Sequence, residues 1–404
     1  MPTLRTASSQ PSSTDIGAEP MDFATSAQST VGIEWELQLI DKDSNDLRQA
    51  AGFVMEQLKD NDFIHAEMLL NTIEITSGVH TTINGCVDDL IRGAERLREV
   101  TDPLRIDIAS AGSHPFADPA YQRVTDSARY EELVNRTQYW GRQMLLFGTH
   151  VHVGIDRRDK VLPIVRAMLS RAFHIQALSS SSPYWAGEHT QYASNRAMVF
   201  QQLPTAGTPR QFIEWHELER YTADLKKTGV IEDFNEVRWD IRPSPGWGTI
   251  ETRVADANTN LHELRAIAAL IHCLIDHFST ELDAGRDMPT MPEWFVDENK
   301  WRAARYGMDA ILIVDRHGNE EHVADTVKDM LVSLEPTAER LGCLDELAGL
   351  TDILEIGAAY QRFTEVAKRH GGSLDAVVEH MRAEMKAEKP LPSAATVLER
   401  QGPR

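Results

Sequence analysis

The chain has 404 residues, 42% of them hydrophobic and 25% charged, which suits the core of one large domain or two ordinary ones. A formal net charge of −21 repels nucleic acid and anionic membrane, and would repel ATP as well unless metal ions and locally placed arginines reversed the field. Three scattered cysteines, Cys86, Cys273 and Cys343, form no CxxC pair, which argues against a structural zinc site or a disulfide framework and for a reducing, cytoplasmic setting.

In chain order, residues 1–29 are rich in Ser, Thr, Ala and Pro and predict an unpacked tail, closed by the polar pair Ser29-Thr30. Arg5 is not followed by the apolar run of a secretory signal. Val31–Leu39 then alternates: every odd position is apolar, and Glu34, Glu36 and Gln38 share the other face. Thr72–Ser77 repeats the pattern, with Ile73 and Ile75 opposed to Thr72, Glu74 and Thr76. In Thr149–Ile155, Val151, Val153 and Ile155 oppose His150, His152 and Gly154. In Thr249–Ala255, Ile250, Thr252 and Val254 oppose Glu251 and Arg253. Between the strands, helical spacing predicts helices over 83–100, 129–147, 160–178, 209–226, 261–282 and 336–368. The apolar stretch from Leu264 to Leu274 is too short to span a bilayer. From Lys386 onward, Pro390 and Pro392 mark a frayed exit. The organisation expected is therefore a tail over 1–29, one domain over 30–385 and a second tail over 386–404.

Four strands that each carry an oily face and a charged face can form one sheet, with the oily faces buried under helices and the polar faces gathered on the other side. Residues two apart on one strand face stand roughly 6–7 Å apart, so Glu34 and Glu36 can serve neighbouring Mg²⁺ ions, or they can simply form a solvated outer face. A core hydrogen bond is the plainer role for His150. Glu251 and Arg253 make either a cross-strand ion pair or a metal carboxylate beside a guanidinium that meets a phosphoryl group. No GxxxxGK[ST] loop, dinucleotide fingerprint, HExxH or GxSxG motif is present, so any ATP is held outside the common nucleotide folds.

An ordered set of short motifs runs from about residue 30 to about 380. It comprises Gly32-Ile33-Glu34-Trp35-Glu36, Glu67 with Glu74-Ile75-Thr76, Ser113-His114-Pro115-Phe116, and the segment from Gly148 to Gly154. Ser182-Pro183-Tyr184-Trp185, Ser194-Asn195-Arg196, Trp239-Asp240-Ile241-Arg242-Pro243, the segment from Thr249 to Asp256 and the segment from Glu298 to Gly307 complete it. Together these resemble the type 2 glutamate–cysteine ligases, or carboxylate–amine ligases.

The resemblance implies an α+β, glutamine-synthetase-like fold: an antiparallel sheet funnel with helices packed on its outer face. It implies small-molecule amino-acid and amine substrates, with self-association left open. The reaction it implies uses ATP and Mg²⁺, with Mn²⁺ as a substitute, to turn a carboxylate, in the first place the glutamate side chain, into an acyl phosphate that an amine such as cysteine then opens. Carried over by position, Glu34, Glu36, Glu67, Glu74, His152 and Glu251 are the metal residues, and Arg253 meets the transferred phosphoryl group. Arg196 holds a substrate carboxylate, and Arg242 is a phosphate or substrate contact. One departure stands out: Ala197-Met198-Val199-Phe200 lacks the tyrosine that better-known members use nearby for the amino-acid substrate. Two other classes stay open on the sequence alone, a metal-dependent hydrolase that works without ATP and a non-catalytic ligand-binding relative.

Overall fold

A computed structural model of the chain describes residues 20–393. The alternating segments become strands at the expected places: β1 (Val31–Asp41), β3 (Thr72–Thr76), β5 (Gly148–Gly154) and β9 (Thr249–Asp256). Three shorter strands extend the sheet, β2 (Ile64–Ala66), β4 (Ile106–Ala109) and β8 (Ile241–Ser244). Two ribbons stand apart, β6 (Tyr184–Trp185) with β7 (Glu188–His189) and β10 (Ile311–Ile313) with β11 (Glu320–His322). The main sheet runs β2-β3-β1-β5-β9-β8, with β4 also paired to β1, and every pairing in it is antiparallel.

Period 2 decides what each face does. Ile33, Trp35, Leu37, Ile73, Ile75, Val151, Val153 and Ile250 are buried in one continuous core. The same core takes in the apolar sides of the helices Ile83–Thr101, Val161–Met168, Ala172–Ser179 and Leu261–Asp283. Helices therefore cover the oily face, which leaves the polar face for the site. Trp35 fixes β1 to the segment after β9, its indole N–H donating to the Asn258 carbonyl at 3.0 Å. The expected α+β arrangement, an antiparallel sheet with helices packed on one face, is the one found.

The helices at 83–100 and 261–282 are found with nearly those bounds. Four others are corrected. The helix expected over 129–147 is two, Ala128–Thr137 and Tyr139–Arg142, because Gln138 takes φ 48° and breaks the hydrogen-bond ladder. The helix expected over 160–178 divides between Met168 and Ala172. The one expected from 209 starts at Trp215, where Glu214 and Glu217 form a capping box. The long helix over 336–368 is divided among four, Val323–Leu341, Leu344–Ala348, Leu350–Ile356 and Ala359–Arg369. Gly342 (φ 65°) and Gly357 (φ 93°) stop two of them. Pro336, expected at a helix start, sits inside Val323–Leu341 on its exposed side.

The two tails are shorter than expected where they can be followed. The Trp215 indole donates to the Met21 carbonyl at 2.9 Å, Phe23 meets Trp215 edge to face, and Ser29 Oγ donates to Asp276 at 2.5 Å, so residues 20–29 pack on the domain. At the other end, the helix Leu374–Ala387 passes residue 386, and the Leu391 N–H donates to Glu384 at 3.1 Å. The remaining tail residues, 1–19 and 394–404, lie outside the described residues. Among the described residues no helix is long and apolar enough to cross a membrane.

Candidate active site

Strand register assembles the site. Glu36 stands opposite Glu74, Glu34 opposite His150, His152 opposite Glu251, and Glu251 opposite Arg242. The charged residues of five neighbouring strands thus form one belt across the polar face. The ladder between β5 and β9 contains a bulge: Thr149 pairs with Ala255 and Val151 with Thr252, so Arg253 and Val254 both stand opposite His150. Glu67 comes from the loop after β2, where it accepts from the Met68 N–H at 3.1 Å and the Tyr130 hydroxyl at 3.3 Å.

Glu251 is the best-paired member. It is 1% exposed, accepts from Arg242 Nε at 2.5 Å, and accepts a second charged hydrogen bond from Arg253 Nη1. Burial opposes its charge, but Arg253 and Arg242 prevail and hold the carboxyl well below the usual range. Arg253 in turn stays firmly protonated: burial works against its charge, and the Glu251 carboxylate beside it outweighs that. Glu34 is also held low. Its burial is outweighed by His150, with Nδ1 2.9 Å from Glu34 Oε2, and by His152, with Nε2 3.2 Å from Oε1.

The other carboxyls go the opposite way. Burial, then the neighbouring Glu67 charge, pushes Glu36 up to about 8. Burial raises Glu67 too, and burial with repulsion from Glu34, Glu67 and Glu36 raises Glu74 well above its usual value. Crowded carboxyls of this kind cannot all ionise unless a cation joins them.

Two sets of donor atoms lie close enough to share an ion: Glu34, His150 and Glu251, and Glu36, Glu74 and His150, with the atoms of each set within 4.8 Å of one another. His150 Nε2 is buried and has no hydrogen-bond partner among the described residues. An oxygen-rich cluster holding one unspent imidazole nitrogen fits Mg²⁺ or Mn²⁺. The core hydrogen bond expected of His150 is present, from Nδ1 to Glu34, and the structure also puts the residue in both donor sets. Burial, and next the Arg253 charge, lower its pKa to about 4, so it is neutral and able to ligate. His152 lies 3.9 Å from Glu251 and its Nδ1 is 2.9 Å from Thr249 Oγ1; it belongs to neither set. Its pKa rises, since the carboxylates of Glu251 and Glu34 outweigh its burial.

Arg196 completes the floor. It is 4% exposed, donates to the Arg253 carbonyl at 3.2 Å, and lies 5.6 Å from the Phe200 ring centre. Its helix, Asn195–Phe200, is capped by Ser194, which also donates to Asp256 at 2.8 Å. Burial raises Asp256 although Arg196 is near.

All of these except His152, Glu251 and Asp256 line one cavity of about 310 Å³: Glu34, Glu36, Glu67, Glu74, His150, Arg196, Arg242 and Arg253. Sequence reasoning missed Arg238 and Asn235, which line it from the stretch before β8; Asn235 lies in a single 3-10 turn, Phe234–Glu236, and Arg238 in irregular chain, both too short for a period to be read. A second cavity, of about 510 Å³, shares Glu34 and Glu74 with the first and adds His152, Val79 and Trp247.

The family described as glutamate–cysteine ligase family 2 matches residues 30–380. A protein of Mycolicibacterium vanbaalenii named "Putative glutamate--cysteine ligase 2-1" is 51% identical over 365 residues, covering 90% of this chain and 96% of that protein. The chain belongs to glutamate–cysteine ligase family 2. It is accordingly an ATP-dependent carboxylate–amine ligase, an enzyme that forms an amide bond. A Mycobacterium tuberculosis relative is 50% identical over 368 residues, with 91% of this chain and 98% of that protein covered. Two solved structures share the fold of this family 2 ligase. One is a glutamate–cysteine ligase from Francisella tularensis in complex with AMP (TM-score 0.63, 14% identity, 95% and 96% of the two chains). The other is a bifunctional glutathione synthetase from Pasteurella multocida (TM-score 0.61, 15% identity, 89% and 52%).

Proposed function

We propose that this ligase phosphorylates the side-chain carboxylate of glutamate and passes the resulting acyl group to an amine. One observation carries the reading. Arg253 is locked to Glu251 through Nη1, yet its buried Nε–H has no acceptor among the described residues. It lines a cavity with Arg196, Arg242 and four carboxyls, so a guanidinium edge is left for an incoming anion.

A carboxylate is a poor electrophile until one of its oxygens becomes a good leaving group. In the first step the substrate carboxylate oxygen attacks the γ-phosphorus of ATP, and ADP leaves. In the second the amine nitrogen attacks the acyl carbon, loses its proton, and phosphate departs. Arg196 holds the acid substrate through its free carboxylate. Arg253 stabilises the charge moving onto the phosphoryl oxygens, and Arg242 sets the Glu251–Arg253 pair while reaching the phosphates. Glu34, Glu36, Glu67, Glu74, His150 and Glu251 hold Mg²⁺, with His152 beside them. When bound, the metal ions neutralise phosphate charge.

The second cavity takes the nucleoside. Trp247 is 73% exposed and Val79 is 76% exposed at its mouth, an apolar platform that a base can cover. Glu34 and Glu74 line both cavities, so a nucleotide in the second would have its phosphates within reach of the carboxyls proposed to hold metal. The need for ATP supports a cytoplasmic setting. The direct test is hydroxamate formation from glutamate, hydroxylamine, ATP and Mg²⁺, repeated over a panel of acids. No hydroxamate and no acid-stimulated ADP release with any acid contradict the reading.

A further inference from the structure

Phosphoryl transfer leaves the apolar part of the first cavity's lining unused. Met68, Leu133, Met144, Leu146, Phe200 and Leu203 line it along with the charged groups. They converge from separate parts of the chain: the loop between β2 and β3, the helix Ala128–Thr137, the run leading into β5, and the helix Asn195–Phe200 with the turn after it. Met144 and Leu203 are buried, whereas Met68, Leu133, Leu146 and Phe200 are only half-buried. Apolar groups left half-covered in a cavity that already holds buried arginines are not needed to bind phosphate or a carboxylate. They suit an apolar ligand group. The nucleoside does not need them, because the platform of Trp247 and Val79 lies in the other cavity. The acid substrate does not cover them either: a glutamate chain has two methylenes between its carboxylate and its Cα.

We infer that this wall receives the side chain of the amine substrate, and that the preferred amine carries an apolar side chain of four or more carbons, branched or aromatic, in place of the short side chain of cysteine. The inference rests on the ligase reading and names the amine class of that same site. Phe200 is the residue that tilts the choice. It packs on the Arg196 guanidinium at 5.6 Å and has no hydroxyl to offer a polar substrate. Each further methylene buried is worth about fourfold in affinity, so a four-carbon side chain should gain at least tenfold over cysteine.

The test uses the full chain with ATP, Mg²⁺ and the acid that gives hydroxamate. ADP release is measured with ethylamine, cysteine, leucine, 3-methylbutylamine and 2-phenylethylamine. The expected result is a kcat/KM at least tenfold higher for leucine than for cysteine, and for 3-methylbutylamine than for ethylamine. In Leu133→Asn and, separately, Leu146→Asn, the ratio of 3-methylbutylamine to ethylamine should fall about tenfold. Using a ratio of two amines on one protein cancels any general loss of turnover, and two variants guard against one that does not fold. Cysteine matching or exceeding leucine, with hydroxamate formed normally, overturns the inference and leaves the ligase reading standing. A failure to form hydroxamate from any acid overturns both.

Discussion

Lys300 and Asp240 form a buried ion pair, with Lys300 Nζ 2.7 Å from one Asp240 oxygen and 3.0 Å from the other. It joins two motifs that stand 60 residues apart, the segment from Trp239 to Pro243 and the helix Glu293–Tyr306. The Asp240 carbonyl accepts the Arg253 N–H at 2.8 Å, so the pair also braces the strand that presents Arg253 to the cavity.

Removing one partner of that pair strands a buried charge. Lys300→Met should therefore lower stability by about 3–5 kcal/mol in urea unfolding. Lys300→Met combined with Asp240→Leu should recover part of that loss, since neither charge then remains. A Lys300→Met variant as stable as the parent would show that the pair carries no structural load.

Arg253→Lys keeps the charge and loses the planar fork. If the arginine meets charge that develops during phosphoryl transfer, kcat should fall by about a hundredfold or more, while KM for ATP moves far less. Melting temperature should shift little. Full turnover in a protein that melts clearly lower would make Arg253 only the ion-pair partner of Glu251.

Trp247→Ala tests the nucleoside platform. The side chain is 73% exposed, so its loss should leave the melting temperature unchanged. KM for ATP should rise about tenfold with kcat kept, in line with about 1–3 kcal/mol for stacking a base on an aromatic ring. An unchanged KM would put the base elsewhere.

Two histidines away from the cavity carboxyls make stability fall in acid. Burial lowers His114 to about 4, while His174 is pushed down to about 3 by burial first and the Arg171 charge next. Both are depressed below the unfolded value near 6.5, so their contribution is complete above about pH 6.5 and is lost as pH falls towards 4 and 3. Urea midpoints should drop through that window, and His114→Phe should reduce the drop. A midpoint flat from pH 7 to 4 would contradict it.

The sheet was legible because its signal is local: a period of two, with Trp35 or Ile250 on one face and Glu34 or Glu251 on the other, holds whatever the partner strands are. The register was not, and register is what puts His150 against Glu34 and, through the bulge at Arg253 and Val254, into both donor sets. The helix over 336–368 was read as one because apolar residues keep recurring past both glycines: Ala338 and Leu347 face one core on either side of Gly342, and beyond Gly357 Phe363 and Val366 face a second. Arg238 reaches the cavity from irregular chain, which carries no period at all, and Leu146 from chain that was read as helix but leaves the helix after Arg142.

The central claim is that an acyl phosphate forms, and oxygen transfer tests it most directly. Glutamate, or whichever acid proves active, is labelled with ¹⁸O in the reacting carboxylate and turned over with ATP, Mg²⁺ and hydroxylamine. The inorganic phosphate released is then analysed by mass. The carboxylate oxygen that attacks phosphorus must leave with it, so the account predicts one ¹⁸O in each phosphate formed. Hydroxamate produced alongside phosphate that carries no ¹⁸O would contradict it.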